Sequence, residues 1–265
     1  MAVSIDPTIV TVPVAAGPAT IVARTCGAGV AVLMNPSWAR GASDFDDLMR
    51  AVAAAGFRAI AISPRGIEGS EGPLDGMTTW DMADDAAAVV EALQAAPVHV
   101  LGHAGGNRVA RALATRRPDL VATVILLAAG GRHTIPDKFK LFSEQTLFRE
   151  PTREEFLRIM HESGFFAAGR DPSVWHEGWW RAIARPQWQA HQRVRPEAWW
   201  AGGAKPMLIM QGLEDGIGPP ENGREVKRLY PDRVTLIELA GVAHAMLPED
   251  PEAIAAAVIE WLGRH

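Results

Sequence analysis

The sequence contains almost no cysteine, no long hydrophobic run and only a small excess of one charge. The single cysteine, Cys26, excludes an intramolecular disulfide and any metal site built from several thiolates. No apolar stretch reaches the length of a membrane span. The net charge of -5 gives no reason to expect nucleic acid or an anionic membrane as a partner. These absences make an enzyme or a binding protein the default expectation.

The amino-terminal residues lack the pattern of a secretion signal, because Met1–Pro7 show no basic stretch followed by an apolar one. With 48% hydrophobic and 22% charged residues, the composition is that of an ordinary soluble globular protein. A chain of 265 residues is long enough for one large domain, with or without an insertion. We therefore expect a cytoplasmic protein that is a monomer or a homodimer.

Segments with strand and helix periodicity alternate along most of the chain. Two β-branched runs, 8–14 and 19–25, flank Gly17-Pro18 and predict an opening hairpin. Further strands are predicted over 29–34, 57–63, 98–102, 121–129, 206–211 and 234–239. Helices are predicted from Ser43 or Asp44 to Ala55, over 79–95, from the end of the fifth strand to Arg117, and over 220–229 and 251–262. This alternation predicts an α/β fold whose mainly parallel central sheet carries helices on both faces.

Residues 131–203 differ from the rest, because strand patterns vanish there and helical stretches alternate with prolines. The region contains six of the nine tryptophans, namely Trp175, Trp179, Trp180, Trp188, Trp199 and Trp200. We interpret it as a helical cap inserted into a core formed by residues 1–130 and 204–265. We expect Trp175, Trp179 and Trp180 to line a pocket for an apolar or aromatic substrate. The alternative is that Trp175 and Trp179, four residues apart, form only the core of the cap.

The segment from Val98 to Ala110 predicts a strand, a sharp turn and a helix. Its turn, Gly102-His103-Ala104-Gly105-Gly106, has the glycines of a G-x-S-x-G nucleophile elbow. The central residue is alanine, so the hydroxyl that attacks the substrate in such elbows is missing, and no ester intermediate can form at Ala104. His103 is expected to pack beneath the pocket or to line it.

Two later motifs complete a pattern that resembles the α/β-hydrolase fold family. Gln211-Gly212-Leu213-Glu214-Asp215 follows one predicted strand, and Gly241-Val242-Ala243-His244 follows the last strand. The resemblance covers the chain outside the cap and implies that Asp215 is the acid and His244 the base of a catalytic triad. Glu214 is the alternative acid. The resemblance implies no organic cofactor, and the histidines show no metal-ligand spacing.

The resemblance also implies an oxyanion hole made of two backbone N–H groups. Gly105, the residue after the centre of the elbow, would supply one. The other would come from Ser37 or Trp38 in the loop after the third strand, because Pro36 has no N–H. Asn35 and Ser37 are also candidates for direct contact with the substrate, or for turn formation only.

Ala104 leaves three interpretations open. In the first, the chain is a natural or engineered form of an ester- or lactone-type hydrolase whose serine is replaced, a change that costs about 10⁶-fold in turnover. In the second, His244 and Asp215 act as a general base on water or on an acidic substrate proton, with no covalent step. In the third, the pocket only binds a small molecule. We take the first as the working hypothesis and keep the other two as alternatives.

Overall fold

The computed structural model describes residues 8–131 and 136–265, and eight strands in these ranges form one sheet. The strands are β1 (Val10–Ala16), β2 (Ala19–Gly27), β3 (Ala31–Asn35), β4 (Arg58–Ile62), β5 (Val98–His103), β6 (Val121–Leu127), β7 (Met207–Gly212) and β8 (Val234–Leu239). They lie in the order β1-β2-β4-β3-β5-β6-β7-β8. The pairs β1–β2 and β2–β4 are antiparallel, and all other neighbours are parallel. The predicted hairpin and mainly parallel sheet are thus confirmed. The prediction that the chain has no secretion signal rests on Met1–Pro7, which lie outside the described residues.

The helices connect the strands close to the predicted positions. They are α1 (Asp46–Ala54), α2 (Thr79–Ala92), α3 (Gly106–Arg116), α4 (Asp137–Phe142), α5 (Arg153–Glu162), α6 (Arg181–Gln192), α7 (Glu221–Leu229) and α8 (Pro251–Leu262). The predicted start of the first helix is wrong, because a 3₁₀ turn precedes α1 and neither expected cap is used. The Ser43 hydroxyl instead donates to Glu68, and the Asp44 carboxylate pairs with Arg40.

Each face of the sheet has its own hydrophobic cluster. On one face, residues of α2, α3 and α7 such as Ala86, Leu113 and Val226 pack against the strands. On the other face, α1 and α8 share a cluster with Phe165, which lies between β6 and β7. Burial of these apolar side chains is the main force that holds the layers together. The sheet therefore has helices on both faces, as predicted.

The described part of the segment between β6 and β7 contains helices and loops but no strand. Residues 136–203 form α4, α5 and α6, a longer connection with one 3₁₀ turn joins α5 to α6, and α4 continues into a π-helical turn over Ser143–Leu147. Positions 132–135 of this insertion lie outside the described residues. The division into a core and a cap at residues 130 and 203 stays a prediction. In the two described ranges, no helix is both long enough and apolar enough to cross a membrane.

The parallel strands bring distant parts of the chain to one edge of the sheet. The carboxyl ends of β3, β5, β7 and β8 point the same way, since neighbouring strands from β3 onward run parallel. The loops after these strands hold Ser37, Ala104, Asp215 and His244. In open α/β sheets, ligands bind outside these carboxyl ends. The fold therefore gathers the residues of the three sequence motifs at one location.

Candidate active site

The turn between β5 and α3 keeps the strained backbone of a nucleophile elbow although it carries alanine. Ala104 has a φ of 47°, in the left-handed region that residues other than glycine rarely adopt. Its N–H donates to the Leu127 carbonyl at 2.9 Å, and the Asn107 N–H donates to the Ala104 carbonyl at 3.1 Å. Such strain persists only where surrounding contacts hold it. The geometry that presents a nucleophile is thus present without the hydroxyl.

Glycines on either side of Ala104 allow the backbones to approach closely. A Cβ atom on Gly106 would collide with the carbonyl oxygen of Asn35, and one on Gly102 would collide with that of Gly106. Only glycine lets α3 start this close to β3 and β5. These contacts explain why the glycine pattern is needed for the turn even when residue 104 is not a nucleophile.

Asn107 is a supporting residue that the sequence analysis missed. Its side-chain amide donates to the carbonyls of Ala104, Leu127 and Ala128 at 2.9, 2.8 and 3.1 Å. The side chain is buried and ties the elbow to the end of β6. The only signal in the sequence was an asparagine in the first turn of the helix after the elbow, and that signal does not name its partners.

His244 and Asp215 form a buried pair. The Nδ1 atom of His244 lies 3.0 and 2.9 Å from the two carboxylate oxygens of Asp215, and the two residues are 5% and 4% exposed. The N–H groups of Ile217 and Gly218 donate to Asp215 Oδ1, and Gln211 Nε2 donates to Oδ2 at 3.2 Å. Because these donors stabilise a carboxylate, the proton of the imidazole belongs on Nδ1. The Nε2 atom is then the proton acceptor.

Glu249 holds the backbone on both sides of His244. Its buried carboxylate accepts N–H groups from Ala243 at 3.1 Å, from Met246 at 2.9 Å and from Ala167 at 2.7 Å. Burial raises the pKa of Glu249, and the three backbone donors and His244 oppose that rise. Ala167 belongs to the inserted segment, so one side chain joins this segment to the histidine loop. No motif in the sequence points to this role of Glu249.

His103 supports His244 from below. Its Nε2 atom lies 2.9 Å from the carbonyl oxygen of His244, and its side chain is fully buried. Burial, with a smaller effect from His244, lowers the pKa of His103 to about 3. The ring is therefore neutral at pH 7 and donates its Nε2 proton to the carbonyl. His103 does not border the cavity described next, so the structure does not place it in the pocket lining.

A cavity of about 360 Å³ lies beside the histidine. The predicted site residues that border it are Ser37, Trp38, Ala104, Gly105 and His244. The other large side chains around it are Arg108, Phe139, Phe142, Leu147, Trp188 and Ile217. The lining is mainly apolar and aromatic, as in typical small-molecule sites. Within the described ranges, no three histidine, cysteine or carboxylate side chains are grouped so as to hold a metal ion.

The three cap tryptophans expected to line this cavity lie elsewhere. Arg40 places its guanidinium 4.5 Å from the ring centre of Trp175 and 4.8 Å from that of Trp179. Trp180 precedes α6, and its N–H donates to the Ala39 carbonyl. The tryptophans that border the cavity are instead Trp188 and Trp38, whose rings meet edge to face at 5.1 Å. Sequence spacing could not show which side of the inserted segment faces the sheet.

Two further candidates lie away from the cavity. The Asn35 side chain is buried and donates to the Leu101 carbonyl at 3.1 Å, so it supports the strands rather than facing the cavity. Glu214, the alternative acid, is exposed, whereas Asp215 holds the histidine. Of the two neighbouring carboxylates, Asp215 is therefore the one that pairs with His244.

The candidate oxyanion amides border the cavity from two sides. The N–H groups of Gly105, Ser37 and Trp38 meet no hydrogen-bond acceptor among the residues that the structure describes. The next amide, that of Ala39, donates to Gln187 of α6 at 2.7 Å and so fixes the loop to the inserted segment. Free backbone donors at a cavity wall can stabilise a developing oxyanion.

Comparison with known proteins agrees with this fold. A sequence profile of the alpha/beta hydrolase fold matches residues 30–171. The chain is 27% identical over 245 residues to the non-heme chloroperoxidase of Streptomyces lividans, which covers 85% of this chain and 89% of that protein. A solved esterase from Thermogutta terrifontis is 22% identical with a TM-score of 0.75, covering 97% of this chain and 98% of the esterase. An esterase from Exiguobacterium antarcticum is 18% identical with a TM-score of 0.77, covering 95% and 98%. This chain belongs to the alpha/beta hydrolase fold family.

Proposed function

We propose that this protein hydrolyses small apolar or aromatic esters or lactones by direct attack of water. The observation that carries the proposal is the buried His244–Asp215 pair, whose histidine borders the same cavity as Ala104 and Gly105. A histidine oriented by a carboxylate is the usual general base of such sites. The aromatic lining suits an apolar substrate.

The reaction needs no covalent bond between the enzyme and the substrate. The substrate carbonyl oxygen would accept from the Gly105 N–H and from the amide of Ser37 or Trp38. The Nε2 atom of His244 takes a proton from water as the hydroxide oxygen bonds to the carbonyl carbon, and Asp215 stabilises the resulting imidazolium. When the tetrahedral intermediate collapses, the bond to the leaving oxygen breaks and that oxygen receives the proton from His244.

Direct water attack reconciles the retained pair with the missing hydroxyl. Ala104 ends at a methyl group and cannot form an acyl-enzyme. A site without its nucleophile still accelerates hydrolysis by about 10³- to 10⁴-fold through the oxyanion hole and binding alone, and a general base acting on water adds about 100-fold or more. We therefore expect slow turnover compared with a serine hydrolase that has the same cavity, whether the alanine is natural or engineered.

The test is hydrolysis of short 4-nitrophenyl esters and of an aromatic lactone by wild type and by His244→Gln. Wild type is expected to release product with saturation kinetics, and His244→Gln to lose at least about 100-fold in kcat/KM. His161→Gln, on the outer side of α5, is the matched control and should match wild type. Undiminished turnover by His244→Gln would reject the general-base role.

Ala104 itself favours a second candidate function, ligand binding without turnover. A pocket of this size lined by aromatic rings can bind a small molecule whether or not a reaction follows. This alternative predicts saturable binding and no product after prolonged incubation with purified protein. Product whose formation depends on His244 would eliminate it.

A further inference from the structure

Arg108 borders the cavity but has no anionic partner. It lies in the first turn of α3, four residues after Ala104. Its guanidinium carbon sits 4.6 Å from the ring centre of Trp38. Across residues 8–131 and 136–265, its side chain forms no hydrogen bond and no ion pair with a carboxylate. By contrast, the buried guanidinium of Arg65 forms two hydrogen bonds of 2.8 Å with Asp85.

A second arginine on the same helix adds to this positive charge. Arg111 is fully buried, and its Nη1 atom donates to the carbonyl of Gly130, which borders the cavity, at 3.3 Å. Its Nε and Nη2 atoms have no hydrogen-bond partner among the described residues, and its guanidinium carbon lies 5.5 Å from the ring centre of Trp200. Burial lowers the pKa of Arg108 to about 10 and that of Arg111 to about 9, and Arg108 contributes to the second shift. Both side chains are therefore charged at pH 7.

The carboxylates around the cavity do not neutralise these charges. Glu221 borders the cavity, but its side chain is exposed and accepts a 3.0 Å hydrogen bond from Arg224. Asp215 is engaged by His244 and by backbone N–H groups. Arg111 is a fully buried cation without a counter-charge, which is costly, and Arg108 is a partly exposed cation at the cavity wall. The wall formed by Arg108 thus favours a ligand that brings its own negative charge.

We propose that the cavity selects substrates that carry a carboxylate, and that Arg108 is the residue that binds it. The planar guanidinium can donate two parallel hydrogen bonds to a carboxylate. The apolar part of the ligand would contact Trp38, Phe139 and Trp188 and extend the reacting carbonyl toward Gly105 and His244. The assignment of the reacting end rests on the proposed hydrolysis, whereas recognition of the carboxylate does not.

Binding of two ligands of the same shape tests the recognition step without any reaction. 3-Phenylpropanoate and 3-phenylpropanamide differ mainly in charge, and isothermal titration calorimetry gives a Kd for each. Wild type is expected to bind the carboxylate at least about 10-fold more tightly than the amide. The preference should decrease at high salt, because salt screens the interaction. Equal Kd values in wild type would overturn the proposal.

Variants of Arg108 assign the preference to this side chain. Arg108→Met should abolish the preference while changing the Kd of the amide by less than about 3-fold, and Arg108→Lys should keep part of it. Arg185→Met is the matched control, because that exposed guanidinium also lies over an aromatic ring, Phe148 at 4.5 Å, but does not border the cavity. A preference that survives in Arg108→Met would overturn the proposal. Arg108→Gln gives the same comparison if the methionine variant does not fold.

A turnover comparison separates this inference from the proposed function. Mono-4-nitrophenyl succinate and 4-nitrophenyl butyrate have equal acyl length, and only the first has a free carboxylate. Hydrolysis of both at equal kcat/KM would support the hydrolase and contradict the carboxylate site. Preferential binding of the phenylpropanoate, with neither ester hydrolysed, would support the carboxylate site and contradict the hydrolase.

Discussion

The backbone of Gly105 lies against the indole of Trp38. A Cβ atom on Gly105 would be 2.6 Å from Trp38 Cδ1 and 2.7 Å from Nε1, so no side chain fits between them. Trp38 belongs to the loop after β3 and Gly105 to the start of the helix after the elbow. The two loops that hold the candidate oxyanion amides are thus spaced by one direct contact.

Gly105→Ala is expected to push the Trp38 indole out of position. Kcat/KM for ester hydrolysis should fall about 10- to 100-fold, because small displacements of positioning groups have large effects on rate. The free energy of unfolding should fall by about 1–3 kcal/mol, as for other overpacked sites. Gly263→Ala at the end of α8 is the stability control, since its Cβ meets only ordinary contacts. Trp38→Leu combined with Gly105→Ala should recover stability, and failure to do so would contradict the contact.

Ala104→Ser is expected to create a serine hydrolase. The new hydroxyl would occupy the centre of a turn whose backbone is already that of an elbow, next to a histidine paired with Asp215. Turnover of 4-nitrophenyl acetate should rise by about 100-fold or more, with a burst of 4-nitrophenol in stopped-flow measurements. No burst and no gain on any short ester would argue against the hydrolase interpretation.

Ala104→Gly is the matched control for Ala104→Ser, because it changes the same residue without adding a hydroxyl. It should show no burst, and relief of the positive φ should raise the free energy of unfolding by up to about 1 kcal/mol, measured by urea denaturation. A loss of stability would mean that the Ala104 methyl group contributes more through packing than its backbone costs.

Asp215→Asn is expected to lower kcat by about 10³- to 10⁴-fold in Ala104→Ser, where it disrupts a complete triad, and by about 100-fold in wild type, where only the general-base contribution of His244 is lost. The asparagine oxygen can still accept from Ile217 and Gly218, but its amide group favours the wrong tautomer of His244. Initial rates with a 4-nitrophenyl ester measure the effect. Glu214→Gln, one residue away and exposed, is the control and should leave the rate unchanged. A comparable loss in the control would point to Glu214 as the acid.

The buried ring of His99 is expected to make the free energy of unfolding decrease at acid pH. Its ring is buried in β5, with Nδ1 2.8 Å from Thr123 Oγ1, and burial, assisted slightly by His265, lowers its pKa to about 4. In the unfolded chain the pKa returns to about 6.5. Between these values only the unfolded chain binds the proton, so the free energy of unfolding falls as the pH falls, by at most about 1.4 kcal/mol per pH unit.

His99→Leu should therefore show a shallower loss of stability between pH 6 and pH 4.5 than wild type, in urea denaturation at each pH. Thr123 keeps a partner in this variant, because Trp261 Nε1 donates to the same hydroxyl at 3.0 Å. His161→Leu on exposed α5 should keep the wild-type slope. An unchanged slope in His99→Leu would show that other groups dominate the acid response.

Much of the site could be predicted because its elements are local. Hydrophobic periodicity placed β8 and α8 at their observed bounds, and glycines within five residues marked the elbow at Ala104. The partners of Asn107 and Glu249 could not be predicted, since each side chain binds backbone from other parts of the chain. Trp188 borders the cavity and Trp175 does not. This difference could not be predicted, because it depends on how the inserted segment packs on the sheet.

The sequence by itself determined the order of strands and helices, the turn at Ala104 and the absence of a nucleophile there, because these depend on neighbours along the chain. The tertiary structure alone decided that His244 meets Asp215, that Glu249 and His103 hold the histidine loop, and that Arg108 faces the cavity without a counter-charge. These relationships join residues far apart in sequence. They arise only when the parallel strands bring their carboxyl ends to one edge and the inserted segment covers it.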